Sequence, residues 1–250
     1  MGVLVVTGTG TEIGKTVVTA AVAALALAAG RRVAVLKPAQ TGVAPGEPGD
    51  VDEVARLAGP LTRRELARYP EPLAPDTAAR RSGLPPVDPA RTAEAAARLA
   101  AGHDLVLVEG AGGLLVRYDE RGRTLADAAR AMVDAGLPVD VLAVAPAGLG
   151  TLNGTALTAE ALSTRGLPLL GVVVGSWPAH ADLAARCNLA DLPVVAGAPL
   201  LGALPAGCAA TGGPAFLAAA RSGLAPCLGG LFDPGRFTAH HAAPLPAGVG

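Results

Sequence analysis

At 250 residues the chain is long enough to bury one full α/β core. Its 20 Lys and Arg nearly cancel 21 Asp and Glu, and no basic stripe accompanies the net charge of −1, which excludes nucleic acid as an expected partner. Alanine supplies more of the 51% hydrophobic content than any other residue, so composition does not argue for a membrane protein.

In chain order, residues 3–6 (Val-Leu-Val-Val) read as a first strand with no charged leader ahead of them. The N-terminal lipidation pattern fails too, because Val6 stands where Ser or Thr is required. A phosphate-binding loop follows: Thr9-Gly10-Thr11-Glu12-Ile13-Gly14-Lys15-Thr16. Glycines let a backbone turn its N–H groups inward, and a helix starting there adds its positive end. Lys15 is placed for the β- and γ-phosphates and the Thr16 hydroxyl for Mg²⁺. The spacing is G-x5-G-K-T, because Thr9 fills the usual first glycine slot and Gly8 comes one residue earlier. It is not a dinucleotide fingerprint, since Ile13 occupies the third glycine slot. Residues 16–29 read as a buried helix closed by Gly30. Their apolar run is interrupted by Thr19 and is too short to span a bilayer.

Residues 32–36 read as a second strand running into Lys37-Pro38-Ala39-Gln40-Thr41-Gly42. Lys15 and Lys37 are the only two lysines among the 20 basic residues. Arginine serves nearly everywhere a generic positive charge suffices, so each lysine is expected where the compact ammonium itself is needed. Both follow a strand, which points to one site handling phosphate. After a Gly/Pro-rich loop at 42–49, residues 51–58 read as a helix with Asp50 as N-cap. Asp50 is also a candidate metal carboxylate, and Asp52 and Glu53 lie close enough to compete for that role. Residues 60–89 read as irregular, around Tyr69-Pro70-Glu71-Pro72. A helix over 89–101 precedes His103, which sits in a capping position. A strand over 105–108 ends in Glu109-Gly110-Ala111-Gly112-Gly113. A carboxylate at the carboxyl edge of a parallel sheet, beside the first loop, is placed to hold a nucleotide's metal; a solvated turn glutamate is the plain alternative.

A helix over 124–135, a strand over 139–144, a helix over 152–165 and a strand over 171–174 complete the assigned elements. The Gly/Pro-rich tail from residue 222 is unassigned. Strands that read as continuous apolar runs imply a parallel sheet covered on both faces. The βα rhythm therefore predicts an α/β fold, a doubly wound, mostly parallel sheet, with residues 1–250 forming one domain. Cys187, Cys208 and Cys227 are odd in number and widely spaced, which predicts free thiols in a reducing cytoplasm. His240-His241 has no third ligand in sight and reads as a solvated pair. Trp177 fits either a packing role or stacking on a base.

Taken together, the segments Val5 to Thr16, Lys37 to Gly42 and Val108 to Val116 resemble the dethiobiotin synthetase family of P-loop enzymes, in order and in separation. The G-x5-G-K-T loop is itself a mark of that family. The likeness continues through Leu149-Gly150-Thr151-Leu152-Asn153 and Gly175-Ser176-Trp177-Pro178 and stops short of the tail. It implies an ATP- and Mg²⁺-dependent ligase of biotin biosynthesis, cytoplasmic and homodimeric, with its active site at the subunit interface. Such an enzyme closes 7,8-diaminononanoate (7,8-diaminopelargonate) with CO₂ into the ureido ring of dethiobiotin. A carbamate on one amine attacks the γ-phosphate, and the second amine closes the ring on the mixed anhydride.

By motif position the resemblance assigns catalysis to Lys15, on the phosphates, and Lys37, on the carbamate and γ-phosphate. It places Glu12, Ile13, Gly14, Thr16, Val17, Gly110, Ala111, Gly112, Gly175, Leu204, Pro205 and Ala206 around the nucleotide. Thr11 and Thr41 would line the diamine site, and Thr16, Asp50 and Glu109 would hold Mg²⁺. The helix start Gly150, Thr151, Leu152 and Asn153 would meet the substrate's tail carboxylate from the partner subunit. Two departures stand out. Many members carry an adenine-reading Asn where this chain has Gly175-Ser176, which leaves other nucleoside triphosphates open beside ATP. Gly10 replaces a frequent Asp.

Three rival readings carry distinct marks. A cobyrinic acid amidase would need a glutaminase domain, for which 250 residues leave no room. A partition-type switch ATPase would show a second loop lysine near position 10 and a basic surface element. Position 10 is Gly, and beyond Gly150 the only basic residues besides His are Arg165, Arg186, Arg221 and Arg236. A nucleotide-binding module without catalysis is separated by diamine-dependent ATP turnover.

Overall fold

Successive side chains of a strand point to opposite faces, so a strand covered on both sides must be apolar at every position. The first strand, β1 (Val3–Gly8), is buried along its whole length. Leu4 and Val6 pack against Val18 and Val22 of helix α1 (Lys15–Ala28) on one face. Val3 and Val5 face the other way, into a cluster holding Ala96 and Met132. The computed structural model describes residues 2–243 and carries this two-faced arrangement through seven strands.

After β1 and α1 come β2 (Val33–Thr41), α2 (Asp50–Ala58), β3 (Thr62–Tyr69), α3 (Pro75–Ser82), α4 (Pro89–Ala100) and β4 (Leu105–Glu109). Then follow α5 (Leu125–Asp134), β5 (Val139–Ala145), α6 (Thr151–Thr164), β6 (Leu169–Trp177), α7 (Leu183–Ala196), β7 (Leu200–Pro205), α8 (Gly213–Gly223) and α9 (Pro234–His241). The sheet order is β3-β2-β4-β1-β5-β6-β7, and every pairing is parallel. Residues of α1, α2 and α8 share one core cluster. Those of α3, α4 and α5 share a second, on the opposite face, and α7 covers the β5–β7 end of that face. Because β4 inserts between β1 and β2, the carboxyl ends of these three strands meet where open α/β sheets hold ligands.

The structure corrects four expectations. The stretch 60–89 is not irregular: it contains β3 and α3. β3 reads Thr-Arg-Arg-Glu-Leu-Ala-Arg-Tyr and lies at the sheet edge, where one side has no strand to cover it. Charge on an edge strand also blocks unwanted pairing, so the usual apolar signal is missing for a physical reason. Asp50 is not the N-cap but the first residue of α2; Gly49 precedes it, and the Asp52 carboxylate accepts the Gly49 N–H at 2.8 Å. The tail contains α8 and α9, while residues 244–250 lie outside the described residues.

His241 is half-buried rather than solvated, its ring 5.5 Å from that of Trp177, which also meets Phe237 at 5.3 Å. Trp177 therefore packs α9 onto the end of β6. The expected capping role of His103 holds, with Nδ1 2.8 Å from Leu99 O, and its Nε2 lies 2.8 Å from Thr62 Oγ1 at the start of β3. α7 was hidden from a sequence reading by Pro193 in its last turns, a residue that normally ends a helix. No described helix is long and apolar enough to cross a membrane. The three cysteines are free thiols.

Candidate active site

The phosphate loop is shaped by three backbone positions. A Cβ on Gly8, which closes β1, would fall 2.8 Å from Ile13 Cδ1 and 3.1 Å from Gly10 O. Gly14 has φ +93°, and a Cβ there would meet Gly175 O at 2.6 Å. Gly175 on β6 faces back, where a Cβ would fall 2.0 Å from Ile13 O. The backbones of loop and strand thus touch directly, and neither side has room for a side chain. Glu12, with φ 57°, is the one non-glycine among the described residues in the left-handed region, a strain of order 1–3 kcal/mol that the packing must offset.

Around this loop five side chains converge. Lys15 Nζ donates to Gly10 O at 2.7 Å. Thr16 Oγ1 donates to Glu109 Oε1 at 2.9 Å. Lys37 Nζ donates to the same oxygen at 2.8 Å and to Gly110 O at 3.0 Å, and lies 2.5 Å from Asp50 Oδ2. Lys37 is 3% exposed and Glu109 1%, so these are buried charges that persist only because they are paired. The three neighbouring acids of α2 face different partners. Asp50 turns to Lys37, whereas Asp52 pairs with Arg63 at 2.5 Å and Glu53 with Arg56 at 2.6 Å.

Burial works against the Lys37 ammonium, but Glu109 and Asp50 together outweigh it and hold its pKa well above the ordinary lysine value. Lys15 goes the other way: burial, then the charge of Lys37, pull its pKa down against the opposing carboxylates. With rising pH Lys15 is therefore the first of the two to lose its proton. Nucleotide affinity of the free protein is expected to fall on the alkaline side, below the pH at which an ordinary lysine titrates. Binding measured across that range should show no such limb in a Lys15→Ala variant; a limb that survives the substitution belongs to another group.

The cleft that holds these groups encloses about 780 Å³. Thr11, Glu12, Ile13, Gly14, Lys15, Thr16 and Val17 line it from the loop, Lys37, Thr41 and Asp50 from β2 and α2, and Glu109, Ala111 and Gly112 from the end of β4. Gly110 contributes its carbonyl to Lys37. For Mg²⁺ the donor set fits: a hydroxyl and two carboxylates are hard oxygen ligands, and Glu109 Oε2 is buried with no hydrogen-bond partner. Gly150, Thr151, Leu152 and Asn153 do not line the cleft. They begin α6 beside the outside of the loop, where a Cβ on Gly154 would stand 3.3 Å from Thr9 Cβ. Leu204, Pro205 and Ala206 also lie outside it, at the end of β7, with the Ala206 N–H donating to Trp177 O at 2.8 Å.

Sequence reasoning missed Gln40. It is 3% exposed at the end of β2; its Oε1 accepts the Asp50 N–H at 2.8 Å, and its Nε2 donates to Thr41 O at 3.3 Å. It pins the start of α2 and so aims Asp50 at Lys37. A buried amide inside a strand was the available signal. Arg68 of β3 supports the same loop, donating to Ala44 O at 3.1 Å and Glu47 O at 2.6 Å. Pro72 to Pro75, within the stretch expected to be irregular, form the opposite wall of the cleft.

Residues 3–208 match a family model described as an AAA domain. The chain is 68% identical over 237 residues to the ATP-dependent dethiobiotin synthetase of Streptomyces avermitilis, covering 95% of this chain and 98% of the relative. It is 70% identical over 233 residues to that of Saccharopolyspora erythraea, covering 93% and 100%. Among solved structures, the cell division ATPase MinD of Pyrococcus furiosus is similar with a TM-score of 0.53 at 19% identity, covering 82% and 84%. Chloroplast FtsY of Physcomitrella patens is similar with a TM-score of 0.54 at 19% identity, covering 95% and 64%. At such identity these two structures share the fold alone.

Proposed function

The chain belongs to the ATP-dependent dethiobiotin synthetase family, and from that membership we infer that it is the ligase that closes the ureido ring of dethiobiotin in biotin biosynthesis. Its substrates are 7,8-diaminononanoate, CO₂ and ATP. One amine adds to CO₂ and loses a proton to give a carbamate. A carbamate oxygen attacks the γ-phosphorus, and ADP leaves. The second amine then attacks the carbamic carbon, and phosphate leaves as the ring closes.

An anionic nucleophile approaching an anionic phosphate needs fixed positive charge that donates no covalent group. The observation that carries the assignment of residues is the pair of lysines in one cleft, one on the phosphate loop and one clamped between two carboxylates. Lys15 holds the phosphates, and Lys37 offsets the charge of carbamate and γ-phosphate. Thr11 and Thr41 contact the diamine. Thr16, Asp50 and Glu109 would hold Mg²⁺, which supplies further positive charge to the phosphates when bound. The nucleotide also contacts Gly175, Leu204, Pro205 and Ala206; Gly175-Ser176 stand where many family members carry an adenine-reading Asn, which leaves other nucleoside triphosphates open beside ATP.

A second copy of the chain completes the site. Gly150, Thr151, Leu152 and Asn153 lie outside their own chain's cleft, as they must if they serve the partner's. Leu149, 93% exposed in the turn before that helix, and Leu157, 58% exposed on it, leave apolar surface for a second copy to cover. Backbone N–H groups at that helix start would receive the substrate carboxylate.

The test is phosphate release from ATP and Mg²⁺ in bicarbonate, with and without 7,8-diaminononanoate, reading the product by mass. Diamine-dependent release with a product that gains one carbonyl is expected. Hydrolysis indifferent to the diamine would sink the ligase reading.

A further inference from the structure

A second cavity, of about 570 Å³, lies away from the cleft, between the edge strand β3 and α4. Alternation puts Arg64, Leu66 and Arg68 on one face of β3, and the spacing of Arg91, Glu94 and Arg98 puts them on one stripe of α4. Both sets line the cavity. Its third wall is the segment carrying Leu84 and Pro85, which is tied to β3 by Tyr69 Oη donating to Pro85 O at 2.8 Å.

Charge is unbalanced there. Four arginines line the cavity against Asp88 and Glu94. Arg68 is committed to Glu65 at 2.7 Å and to the loop carbonyls, and Arg98 to Glu94 at 3.7 Å. Asp88 pairs with Arg123 at 3.0 Å, and its carboxylate also caps α4 by accepting the Ala90 N–H. Arg64 and Arg91 remain, and among the described residues neither has an ion-pair or hydrogen-bond partner. Leu84, 44% exposed, and Leu66 leave an apolar surface beside them. Two uncommitted guanidinium forks beside a small apolar wall, in a cavity of ligand size, form a receptor for an acid with a short hydrocarbon part.

We propose that this cavity is a second ligand site, which takes a small carboxylic acid with Arg64 and Arg91 on its carboxylate and Leu66 and Leu84 on its aliphatic part. The site is separate from the catalytic cleft, shares no residue with it, and stands whether or not the chain is a ligase. Arg68 belongs to both the cavity wall and the clamp on the 42–49 loop, so an occupied cavity abuts the support of Asp50.

The test uses the full chain with hexanoate as probe and inorganic phosphate as the bare-anion control, followed by ligand-observed NMR. Hexanoate is expected to saturate the native chain. Arg64→Ser/Arg91→Ser should weaken it by about tenfold or more while leaving the melting temperature and ATP turnover unchanged. If the double variant fails to fold, Arg64→Gln and Arg91→Gln taken singly should each weaken the probe. Absence of saturable hexanoate binding overturns the proposal. So does hexanoate affinity indifferent to these arginines, which would place the probe elsewhere, the catalytic cleft included. Phosphate binding as tightly as hexanoate through the same arginines overturns the carboxylic-acid class.

Discussion

Replacing Lys37 with Met is expected to lower turnover by about 10²–10³-fold or more, the scale of losing one preorganised charge at a reacting group. The fold is expected to suffer as well, because Lys37 is the buried counter-charge of Glu109. Removing one partner of a buried pair leaves the other uncompensated, at about 3–5 kcal/mol. A Lys37→Met/Glu109→Gln variant separates the two effects. It should recover most of the stability in a denaturant titration and stay inactive in the diamine assay. Turnover near normal in either variant would remove Lys37 from the chemistry.

The sign of the pH dependence follows from the raised pKa of Lys37. Its stabilising contribution is fully present below the ordinary lysine value and is lost only as pH rises through the higher folded-state value. The pair with Glu109 and Asp50 therefore persists through the neutral range.

Gly175→Ala is expected to have the second large effect, although it adds a single methyl outside the cleft. The new Cβ would fall 2.0 Å from Ile13 O and 2.7 Å from Val144 Cγ1. Backbone stands on the loop side, so relief requires the phosphate loop itself to shift. Overpacking of this kind costs about 1–3 kcal/mol. Displacing the loop by about 1 Å could lower the rate by up to ~10²-fold, since the phosphates would no longer sit against Lys15 in a reactive geometry. Melting temperature and nucleotide affinity should fall together. A normal affinity would mean that the loop can leave β6 without changing its grip.

Much of the site was legible because its residues come in short runs. Lys15 and Thr16 follow a strand within one loop, Lys37 ends a second apolar run, and Glu109 ends a third. A parallel sheet delivers all three to one edge whatever the loops between them do. Fold class was legible for the same reason: strands buried on both faces, such as 3–6 and 105–108, advertise themselves as continuous apolar runs. β3 was not legible, because an edge strand with one side unpaired tolerates three arginines where its neighbours carry apolar residues. α7 was masked by Pro193, and α9 by its short, Gly/Pro-flanked sequence, although Trp177 holds it in place.

Local sequence by itself determined the phosphate loop, the apolar runs that become strands and the place of each lysine after such a run, since each depends on neighbours within a few residues. Only the tertiary structure decided that Asp50, rather than Asp52 or Glu53, faces Lys37. That choice rests on Gln40 gripping the first N–H of α2 from ten residues upstream, and on Arg63 and Arg56 drawing the other two acids away. The contact of Gly175 with Gly14 joins residues far apart in the chain, and so does the pairing of Lys37 with Glu109. Packing between elements creates such contacts, and no local pattern encodes them.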